Sequence, residues 1–408
     1  MSGYLTAMKI LLCHNFYQQP GGEDKVFADE GALLESHGHQ VLRYQRHNDD
    51  VGSMGRLELG RKTIWNDRTW QEVGVILERE RPHIMHCTNT FPLISPSIYY
   101  RAKSLGVSVV QSLHNYRIVC PKAQLMRGGS VCEKCLGKRI AWPALTHRCY
   151  RDSLPATAVV VSMLARHWKK GTWQHAVDRY IALTEFAKQK LVQGGLPEEK
   201  IMVKPNFISF DPGVGEGGGD YAIFVGRLSP EKGISTLLTA WGKLKNNLKL
   251  KILGDGPLAQ EVATAALEDP RIEWMGHQTM QQVYELIGEA RFLVMPSVWY
   301  ETFGLTVIES FAKGTPVAVS QIGALNELVR DGETGFKFTP GDPESLVKTI
   351  NKINRLSDMS SLRAAARGEY ELKFNAATNY RQLMDIYESA IEAAKVGNCQ
   401  SPAFAKVK

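Results

Sequence analysis

The chain has 408 residues, of which 44% are hydrophobic and 22% charged, and its formal net charge is +7. This length suits two domains of ordinary size, and the composition is that of a globular protein, which excludes a disordered or fibrous chain. No apolar run approaches the ~20 residues of a membrane-spanning helix, and the N-terminus lacks the layout of a secretory signal. Seven cysteines, an odd number, argue against a disulfide framework and favour a reducing, cytoplasmic setting.

Short apolar runs alternate with helix-length amphipathic segments along both halves of the chain. In the first half the predicted strands are residues 8–14, 40–45, 83–87, 107–114 and 179–184, and the helices between them include 24–38 and 96–106. In the second half the predicted strands are 221–226, 248–254, 271–276, 291–297, 316–320 and 335–339, and the helices include 234–245 and 280–290. Such alternation predicts an α/β protein with parallel sheets, right-handed crossovers and ligand turns at the carboxyl ends of the strands.

A glycine-rich segment, residues 211–220, marks the boundary between the two arrays. Five glycines within residues 213–219 cannot pack a core, so we expect a flexible connection there. The predicted N-terminal domain covers residues 8–200 and contains a cysteine-rich basic insert at about 117–173. The predicted C-terminal domain covers residues 201–375. The last predicted helix, residues 376–396, packs back on the N-terminal domain.

Two glycine-containing turns in the second half each follow a predicted strand and open a helix. The first reads GRLSPEKG and contains Arg227 and Lys232, while the second reads ETFGLTVIE and contains Glu301 and Glu309. Cations beside a helix N-terminus suit a diphosphate, and carboxylates accept hydrogen bonds from the vicinal hydroxyls of sugar rings. Together they predict a site for a nucleotide-activated sugar.

Each of these turns has a simpler interpretation. The first turn could be a solvated surface loop, and Glu309 could be an exposed helix residue paired with Lys313 at the i+4 position. A third turn, GDGP, follows the next strand and contains Gly254 and Gly256, but ordinary turn chemistry also explains it.

The sequence resembles the family 4 retaining glycosyltransferases of the GT-B fold. The resemblance rests on these motifs and on an early Gly21-Gly22 pair, which occur in the family's order over nearly the whole chain. The resemblance implies two doubly wound Rossmann-like domains that face each other across a cleft. It also implies metal-independent transfer of a sugar, with retention of configuration, from a nucleoside-diphosphate sugar to a hydroxyl of a glycan or lipid-linked acceptor.

The resemblance also implies roles for single residues. Arg227 and Lys232 would hold the diphosphate, Glu309 the ribose, and Glu301 the transferred sugar, while His114 would be the active-site histidine. The implied catalytic set is His114, Arg227, Lys232 and Glu301. The implied donor-binding set shares Arg227 and Lys232 with the catalytic set and otherwise consists of Gly21, Gly22, Asn206, Gly226, Gly254, Gly256, Thr302, Phe303, Gly304, Leu305 and Glu309. Thr184 and Glu185 match cleft-facing positions more weakly, and His114 could instead be an ordinary core or loop histidine.

Other functions fit the same motifs. A GT-B-like nucleotide-sugar epimerase would act without an acceptor, and a non-catalytic nucleotide-sugar or glycan-binding module would not turn the donor over. The sequence offers no convincing enzymic nucleophile. It also has no Asp-x-Asp pair near a ligand turn, which agrees with a reaction that needs no catalytic metal.

Four cysteines in the insert have the spacing C-x11-C-x2-C-x13-C. Four thiolates can bind zinc tetrahedrally, so Cys120, Cys132, Cys135 and Cys149 are candidate ligands of a structural zinc ion. His147 could replace Cys149, and the alternative is a set of unligated or redox-labile thiols. Cys13 and Cys87 lie in apolar strands and are predicted core residues.

The insert is strongly basic. Between Arg117 and Lys170 there are 11 Lys or Arg residues against two acids, which leaves a local balance of +9, and Trp142, Trp168 and Trp173 are interleaved. Such a surface suits an anionic lipid face, and hence a peripheral position at the inner side of a membrane, or a lipid-pyrophosphate acceptor. A solvated positive face is the alternative. No nucleic-acid motif is present, so we predict no nucleic-acid partner.

Overall fold

The computed structural model describes residues 7–19 and 21–398, which divide into two compact α/β units. Of the described residues, the first unit contains those up to Gln124, those from Glu133 to Lys204 and those from Tyr380 onward. The second unit contains Leu125–Cys132 and Pro205–Asn379. No helix in the described part of the chain combines the length and the apolar character that a membrane span requires.

The first unit is built on a six-stranded parallel sheet with the order β2-β1-β3-β4-β7-β8. Its strands are β1 Lys9–Phe16, β2 Gln40–His47, β3 Ile84–Asn89, β4 Ser108–Leu113, β7 Arg179–Ala182 and β8 Ile201–Val203. Its helices are α1 Gly22–Ser36, α2 Arg56–Ile64, α3 Asp67–Glu80, α4 Ser97–Ser104, α5 Trp142–Thr146, α6 Leu154–Lys169, α7 Thr172–His175 and α8 Glu185–Gln193. The strand order reverses between β1 and β3, which makes the carboxyl ends of these strands a switch point for ligands.

The second unit has a six-stranded parallel sheet with the order β11-β10-β9-β12-β13-β14, the doubly wound arrangement of dinucleotide-binding domains. Its strands are β9 Tyr221–Val225, β10 Lys249–Leu253, β11 Ile272–Gly276, β12 Phe292–Met295, β13 Val317–Ser320 and β14 Gly335–Phe338. Its helices are α9 Ile234–Lys243, α10 Ala259–Glu268, α11 Met280–Glu289, α12 Leu305–Ala312, α13 Gly323–Leu328, α14 Pro343–Asn354 and α15 Ser360–Lys373. Here the order reverses between β9 and β12.

The strands were predictable because both faces of each sheet are covered. All residues of β3, β4, β12 and β13 are buried, and a strand buried on both faces has a continuous apolar run. The core of the second unit surrounds Trp241, which is 0% exposed and whose indole N–H donates to Leu248 O at 3.1 Å. Every strand predicted above is confirmed within a few residues.

Three short strands were missed because they have too few residues to show a period. β8 has three residues, and a two-stranded hairpin, β5 Met126–Arg127 with β6 Ser130–Val131, interrupts the insert. Gly128 and Gly129 form the hairpin turn with φ of 58° and 77°, which suits glycine in a two-residue loop.

The last helix, α16 Ala376–Asn398, begins in the second unit and continues in the first. From Tyr380 onward its buried side chains, such as Leu383 and Tyr387, join the core cluster that contains Ile10 and Val110 of the first sheet. Tyr387 also hydrogen-bonds through its hydroxyl to His86 Nδ1 at 2.8 Å.

The glycine-rich segment 211–220 is not the flexible connection that its composition predicted. It lies on the surface of the second unit, where the amides of Gly215, Gly217 and Gly219 donate to backbone carbonyls at 2.9–3.0 Å. A Cβ at Gly215 would lie 2.2 Å from Gly288 Cα. The glycines therefore permit close backbone contact, and Asp211 is anchored by an ion pair with Arg367.

Candidate functional site

The two turns predicted to bind a donor meet at the switch point of the second sheet. One follows β9 and the other follows β12, and these two strands are neighbours. Val298 N donates to Glu231 O at 2.9 Å, which joins the turns through their backbones. Ligands of open α/β sheets bind at such a point, outside the carboxyl ends of the strands.

Lys232 and Glu301 form the polar centre of this site. Lys232 Nζ lies 2.7 Å from Glu301 Oε1, and Ser297 Oγ donates to the same oxygen at 2.8 Å. The Glu301 carboxylate is 6% exposed, and the Lys232 ammonium also lies 5.7 Å from the centre of the Trp299 ring. A cation and a carboxylate thus lie at one sheet edge, where the ammonium can meet an anion and the carboxylate a hydroxyl.

Arg227 comes two residues after the end of β9, and it is exposed. The next two residues, Leu228 and Ser229, are buried, so the turn is anchored while the guanidinium stays in solvent. The turn then closes with a single 3₁₀ turn, Pro230–Lys232, which leads into α9. Arg227 is thereby available to a ligand, whereas a part of Lys232 is already engaged.

Two glycines allow the turns to approach each other. Gly233 has φ of 73°, and a Cβ there would lie 1.9 Å from Pro296 O. Gly254 has φ of 128°, and its Cβ would lie 2.0 Å from Gly226 O. The GDGP turn that contains Gly254 and Gly256 therefore packs against the first turn, which is more than turn chemistry alone requires.

Glu309 lies on the second turn of α12, and it is 5% exposed. The interpretation of Glu309 as an exposed surface residue is therefore wrong. Lys313 is also buried and donates through Nζ to Pro212 O at 3.1 Å. Residues 302–304 connect Glu301 to this helix, which begins at Leu305, and Gly304 has φ of 135°.

In the first unit, His114 directly follows β4. Burial is the main cause that lowers the pKa of His114 to about 3; the charge of Glu30 acts against this shift, and Lys204, His14 and His86 add to it. The imidazole is therefore neutral at physiological pH. Such a group can accept or donate a hydrogen bond to a reacting sugar, but it is no source of positive charge.

Gly21 and Gly22 lie at the start of α1, the helix that follows β1, and β1 is one of the two strands at the switch point of this sheet. Gly21 is the N-cap, and its amide donates to Asp24 Oδ2 at 2.9 Å. The other Asp24 oxygen lies 2.7 Å from His14 Nε2. Both glycines are exposed, and nothing lies within 4 Å of the place where a Cβ of Gly21 would be, so the loop has room for a ligand.

The weaker candidates are divided between the units. Thr184 is buried and caps α8, since its Oγ1 accepts from Ala187 N at 3.1 Å, while Glu185 beside it is exposed. This gives Thr184 a structural role. Asn206 belongs to the second unit, is 3% exposed, and has no partner for its Oδ1 among the described residues.

The four insert cysteines do not form a metal-binding group in this structure. Cys120 is buried and the other three are half-buried, and Cys135 and Cys149 pack on the same small apolar cluster around Val161. Cys132 lies in the hairpin segment that belongs to the second unit. Over residues 7–19 and 21–398, no set of three or more His, Cys, Asp and Glu is arranged to hold a metal ion. The zinc hypothesis stays a prediction.

The basic insert has one exposed tryptophan rather than three. Trp142 is 57% exposed, whereas Trp168 and Trp173 are 7% and 3% exposed and belong to the core. Ile140 and Leu154 are also exposed, by 58% and 47%. Exposed basic side chains surround them in sequence: Lys134, Lys138, Arg139, Arg148 and Arg151.

Sequence reasoning missed several polar residues beside these sites. Ser297 and Trp299 precede Glu301, and their position at the end of a predicted strand and just after it was the available signal. In the first unit Tyr17 OH donates to Glu23 Oε2 at 3.0 Å, beside Asn115. Asn115 follows His114, so the same strand-end argument could have found it.

Comparisons with known proteins agree with this arrangement. Residues 210–368 match the family model of glycosyl transferases group 1. An uncharacterized glycosyltransferase of Methanocaldococcus jannaschii is 25% identical over 213 residues, which cover 52% of this chain and 59% of that protein. A glycogen synthase of Mycobacterium tuberculosis is 31% identical over 151 residues, covering 36% of each. The chain thus spans about half the length, or less, of these curated relatives.

Solved structures resemble the chain over almost its whole length. The sucrose-phosphate synthase of Thermosynechococcus elongatus has a TM-score of 0.69 at 16% identity and covers 95% of this chain and 100% of its own. Anabaena HepE in complex with UDP-glucose has a TM-score of 0.64 at 18% identity, with 94% and 100% covered. The chain therefore has the GT-B fold of two Rossmann-like α/β units, and residues 210–368 match the glycosyl transferase group 1 model.

Proposed function

We propose that the protein is a retaining, metal-independent glycosyltransferase. It moves a hexosyl group from a nucleoside-diphosphate sugar to a hydroxyl of a glycan or a lipid-pyrophosphate-linked acceptor. The observation that supports this best is the meeting of Lys232, Glu301 and Ser297 at the switch point of the second sheet. The match of the same region to glycosyl transferases group 1 supports the class of reaction.

The reaction needs stabilisation of negative charge on the departing nucleoside diphosphate. Arg227 and Lys232 would provide two positive charges, and the N-terminus of α9 would add its dipole. A single preorganised contact to developing charge lowers the activation barrier by about 2.7–4 kcal/mol. Two cations would therefore stabilise the leaving group in the proposed metal-independent reaction.

The two carboxylates would bind the two ends of the donor. Glu309, on the second turn of α12, would accept hydrogen bonds from the ribose hydroxyls. Glu301, held by Ser297 and Lys232, would accept them from the transferred sugar. On donor binding Lys232 would exchange a part of its ion pair with Glu301 for the diphosphate. His114 in its neutral form would hydrogen-bond the sugar, and the acceptor hydroxyl would attack from the leaving-group face.

The acceptor and its location form part of the proposal. An exposed patch made of Ile140, Trp142, Leu154 and the neighbouring basic residues would contact an anionic membrane surface, where a lipid-linked acceptor is found. Trp142 combines an apolar ring with a polar N–H, as residues at membrane interfaces do, and Lys138 Nζ lies 5.9 Å from its ring centre.

A structural zinc ion bound by Cys120, Cys132, Cys135 and Cys149 also stays a proposal, supported by their C-x2-C spacing. With four protein ligands the ion would have no open position for a substrate, so its role would be structural. Elemental analysis of protein purified without chelators tests it: about one zinc per chain is expected, and metal-free, fully active protein would contradict it.

A thermal-shift panel of nucleotide sugars tests the function as a whole, with UDP-glucose included because HepE binds it. A ligand at 100 times its dissociation constant stabilises by ~2.7 kcal/mol, which is readily measured. The responding donor is then incubated with EDTA and with candidate acceptors. We expect acceptor-dependent release of the nucleoside diphosphate that survives EDTA. Turnover that needs no acceptor would instead indicate an epimerase.

A further inference from the structure

A polar cluster of Tyr17, Glu23 and Asn115 lies at the switch point of the first sheet. Tyr17 follows β1, Glu23 is on the first turn of α1, and Asn115 comes two residues after β4. Glu23 Oε2 accepts from Tyr17 OH at 3.0 Å and faces Asn115 Nδ2 at 3.5 Å. Three separate parts of the chain therefore contribute one side chain each to this cluster, and two of these side chains contact the carboxyl group of the third, Glu23.

The second oxygen of this carboxyl, Glu23 Oε1, is buried and has no hydrogen-bond partner among the described residues. A buried polar atom without a partner destabilises the fold, and native proteins rarely retain one without a reason. The Asn115 amide is also incompletely used, because its Oδ1 accepts from Arg117 N at 3.0 Å while its Nδ2 has only contacts of 3.5 Å.

Asn115 also lines a pocket of the first unit, at the carboxyl ends of β3 and β4. Other residues of its wall are Thr90, Phe91, His114, Arg117 and Trp173. Trp173 is 3% exposed, and its Nε1 is buried without a hydrogen-bond partner in the described part of the chain. Trp173 in the pocket wall thus offers an unused donor, and Glu23, which contacts the wall through Asn115, offers an unused carboxyl oxygen, beside apolar side chains such as Phe91.

We propose that Glu23, Asn115 and Trp173 bind the terminal sugar of the acceptor, with one of its hydroxyl groups on Glu23. A sugar ring satisfies both unused groups, because each hydroxyl donates and accepts, and its C–H face suits the apolar wall. Arg117 is less suited to bind a ligand charge, since its guanidinium lies 4.3 Å from the Phe91 ring centre and donates to Pro121 O. The inference rests on the proposed function, because it assumes an acceptor.

The protonation of Glu23 agrees with this role. Burial raises the pKa of Glu23 to about 8, and the nearby charge of Asp24 adds to the effect, whereas the contacts with Tyr17, Asn115 and Arg117 lower it. The carboxyl is therefore a neutral acid at pH 7, able to donate one hydrogen bond and accept another, as a glutamine amide can. Glutamine should then replace it, and alanine should not.

Saturation-transfer NMR with the full chain tests the site, and the probes are the methyl glycosides of glucose, galactose, mannose and N-acetylglucosamine. We expect at least one to bind the wild type, and Glu23→Ala and Trp173→Phe to weaken that binding by roughly tenfold. Glu23→Gln should stay within about threefold of wild type at pH 7. Above pH 8 wild-type binding should weaken, while Glu23→Gln should not change.

Matched controls are Glu78→Ala and Trp70→Phe, both on α3 and without an assigned role, and both should bind as the wild type does. Unchanged glycoside binding in Glu23→Ala and Trp173→Phe would overturn the inference. So would the absence of glycoside binding to a wild type that still binds a nucleotide sugar, an outcome that leaves the proposed function standing. Loss of nucleotide-sugar binding alone in Glu23→Ala would assign Glu23 to the donor and also overturn it.

Discussion

Lys232 and Glu301 are 69 residues apart in the chain, and Lys232 Nζ lies 2.7 Å from Glu301 Oε1. Their meeting follows from the strand order, because the turns that contain them follow neighbouring strands of one parallel sheet. Glu301 is nearly buried, whereas Lys232 is half-buried. The pair therefore has a structural role in addition to its proposed functional one, and substitutions can separate the two.

Lys232→Ala and Arg227→Ala are each expected to slow turnover by roughly 10²-fold or more, because each removes a positive charge from the leaving diphosphate. Their effects on folding should differ. Lys232→Ala leaves the buried Glu301 carboxylate with Ser297 alone and should lower the free energy of unfolding by about 1–3 kcal/mol, whereas exposed Arg227 should have no such effect. Steady-state kinetics and urea unfolding measure both, with the surface residue Lys243→Ala as control. Wild-type turnover in either variant would remove the diphosphate assignment.

Glu309→Gln and Glu301→Gln should affect different kinetic constants. Glu309 is expected to hold the remote ribose, so its substitution should raise the donor KM with little change in kcat. Glu301 is expected to contact the reacting sugar, so its substitution should lower kcat by about tenfold or more. Donor titrations at saturating acceptor separate the two. Equal and small effects would speak against both assignments.

Lys204→Met should lower the free energy of unfolding of the first unit. Lys204 is 1% exposed, and its Nζ lies 2.7 Å from Glu30 Oε1, which is also buried. Removal of one partner of a buried ion pair costs about 3–5 kcal/mol, because the other charge is left without compensation. Urea unfolding of the variant, with Lys243→Met as the exposed counterpart, measures the loss.

The ion pair between Lys204 and Glu30 also makes the stability of the first unit depend on pH. Burial would raise the pKa of Glu30, but the Lys204 ammonium outweighs it, so the pKa is lowered from 4.5. This contribution is present above pH 4.5 and is lost as the pH falls below that value. Lys204→Met should lack this acid-sensitive contribution, and an unchanged pH profile between 5 and 3 would contradict the assignment.

The ionisation of Glu23 should change the stability of the fold with pH in the opposite direction. Its pKa rises from 4.5 in the unfolded chain to about 8 in the folded protein, so the folded state binds the proton more tightly. Stability is then lost as the pH rises from 4.5 through 8, because the buried carboxyl must ionise. Relative to wild type, Glu23→Gln should gain about 1–3 kcal/mol between pH 5 and pH 9, with allowance for partial exposure. Melting curves at both pH values test this, and Glu78→Gln should show no such gain.

Vesicle co-sedimentation tests the membrane patch. The full chain should bind phosphatidylglycerol vesicles, bind phosphatidylcholine vesicles at least tenfold less, and dissociate in high salt, since each basic residue near an anionic surface contributes about 1 kcal/mol. Ile140→Ser and Trp142→Ala should weaken binding. Leu267→Ser is the control, because Leu267 is 90% exposed but lies in the second unit. Equal binding of both vesicle types would exclude an anionic lipid surface.

The glycine segment and the tryptophans show where composition misled. Residues 213–219 were predicted to be flexible because they cannot form a core, but glycines can also pack backbone against backbone, as Gly215 does against Gly288. Three tryptophans interleaved with basic residues predicted a surface, but Trp168 and Trp173 are core residues. Local composition does not say which way a side chain points.

The amino-acid sequence by itself determined the strand and helix pattern and the residues of the two donor turns. These follow from short-range causes: continuous apolar runs for strands buried on both faces, amphipathic periods for helices, and glycines where the backbone must turn. The tertiary structure decided which groups meet. Strand order brought Lys232 to Glu301, and burial made Glu309 an interior residue. It also placed Glu23 against Tyr17 and Asn115, in surroundings that raise its pKa. Such contacts depend on residues far apart in the chain and on the exclusion of water, which no local pattern contains.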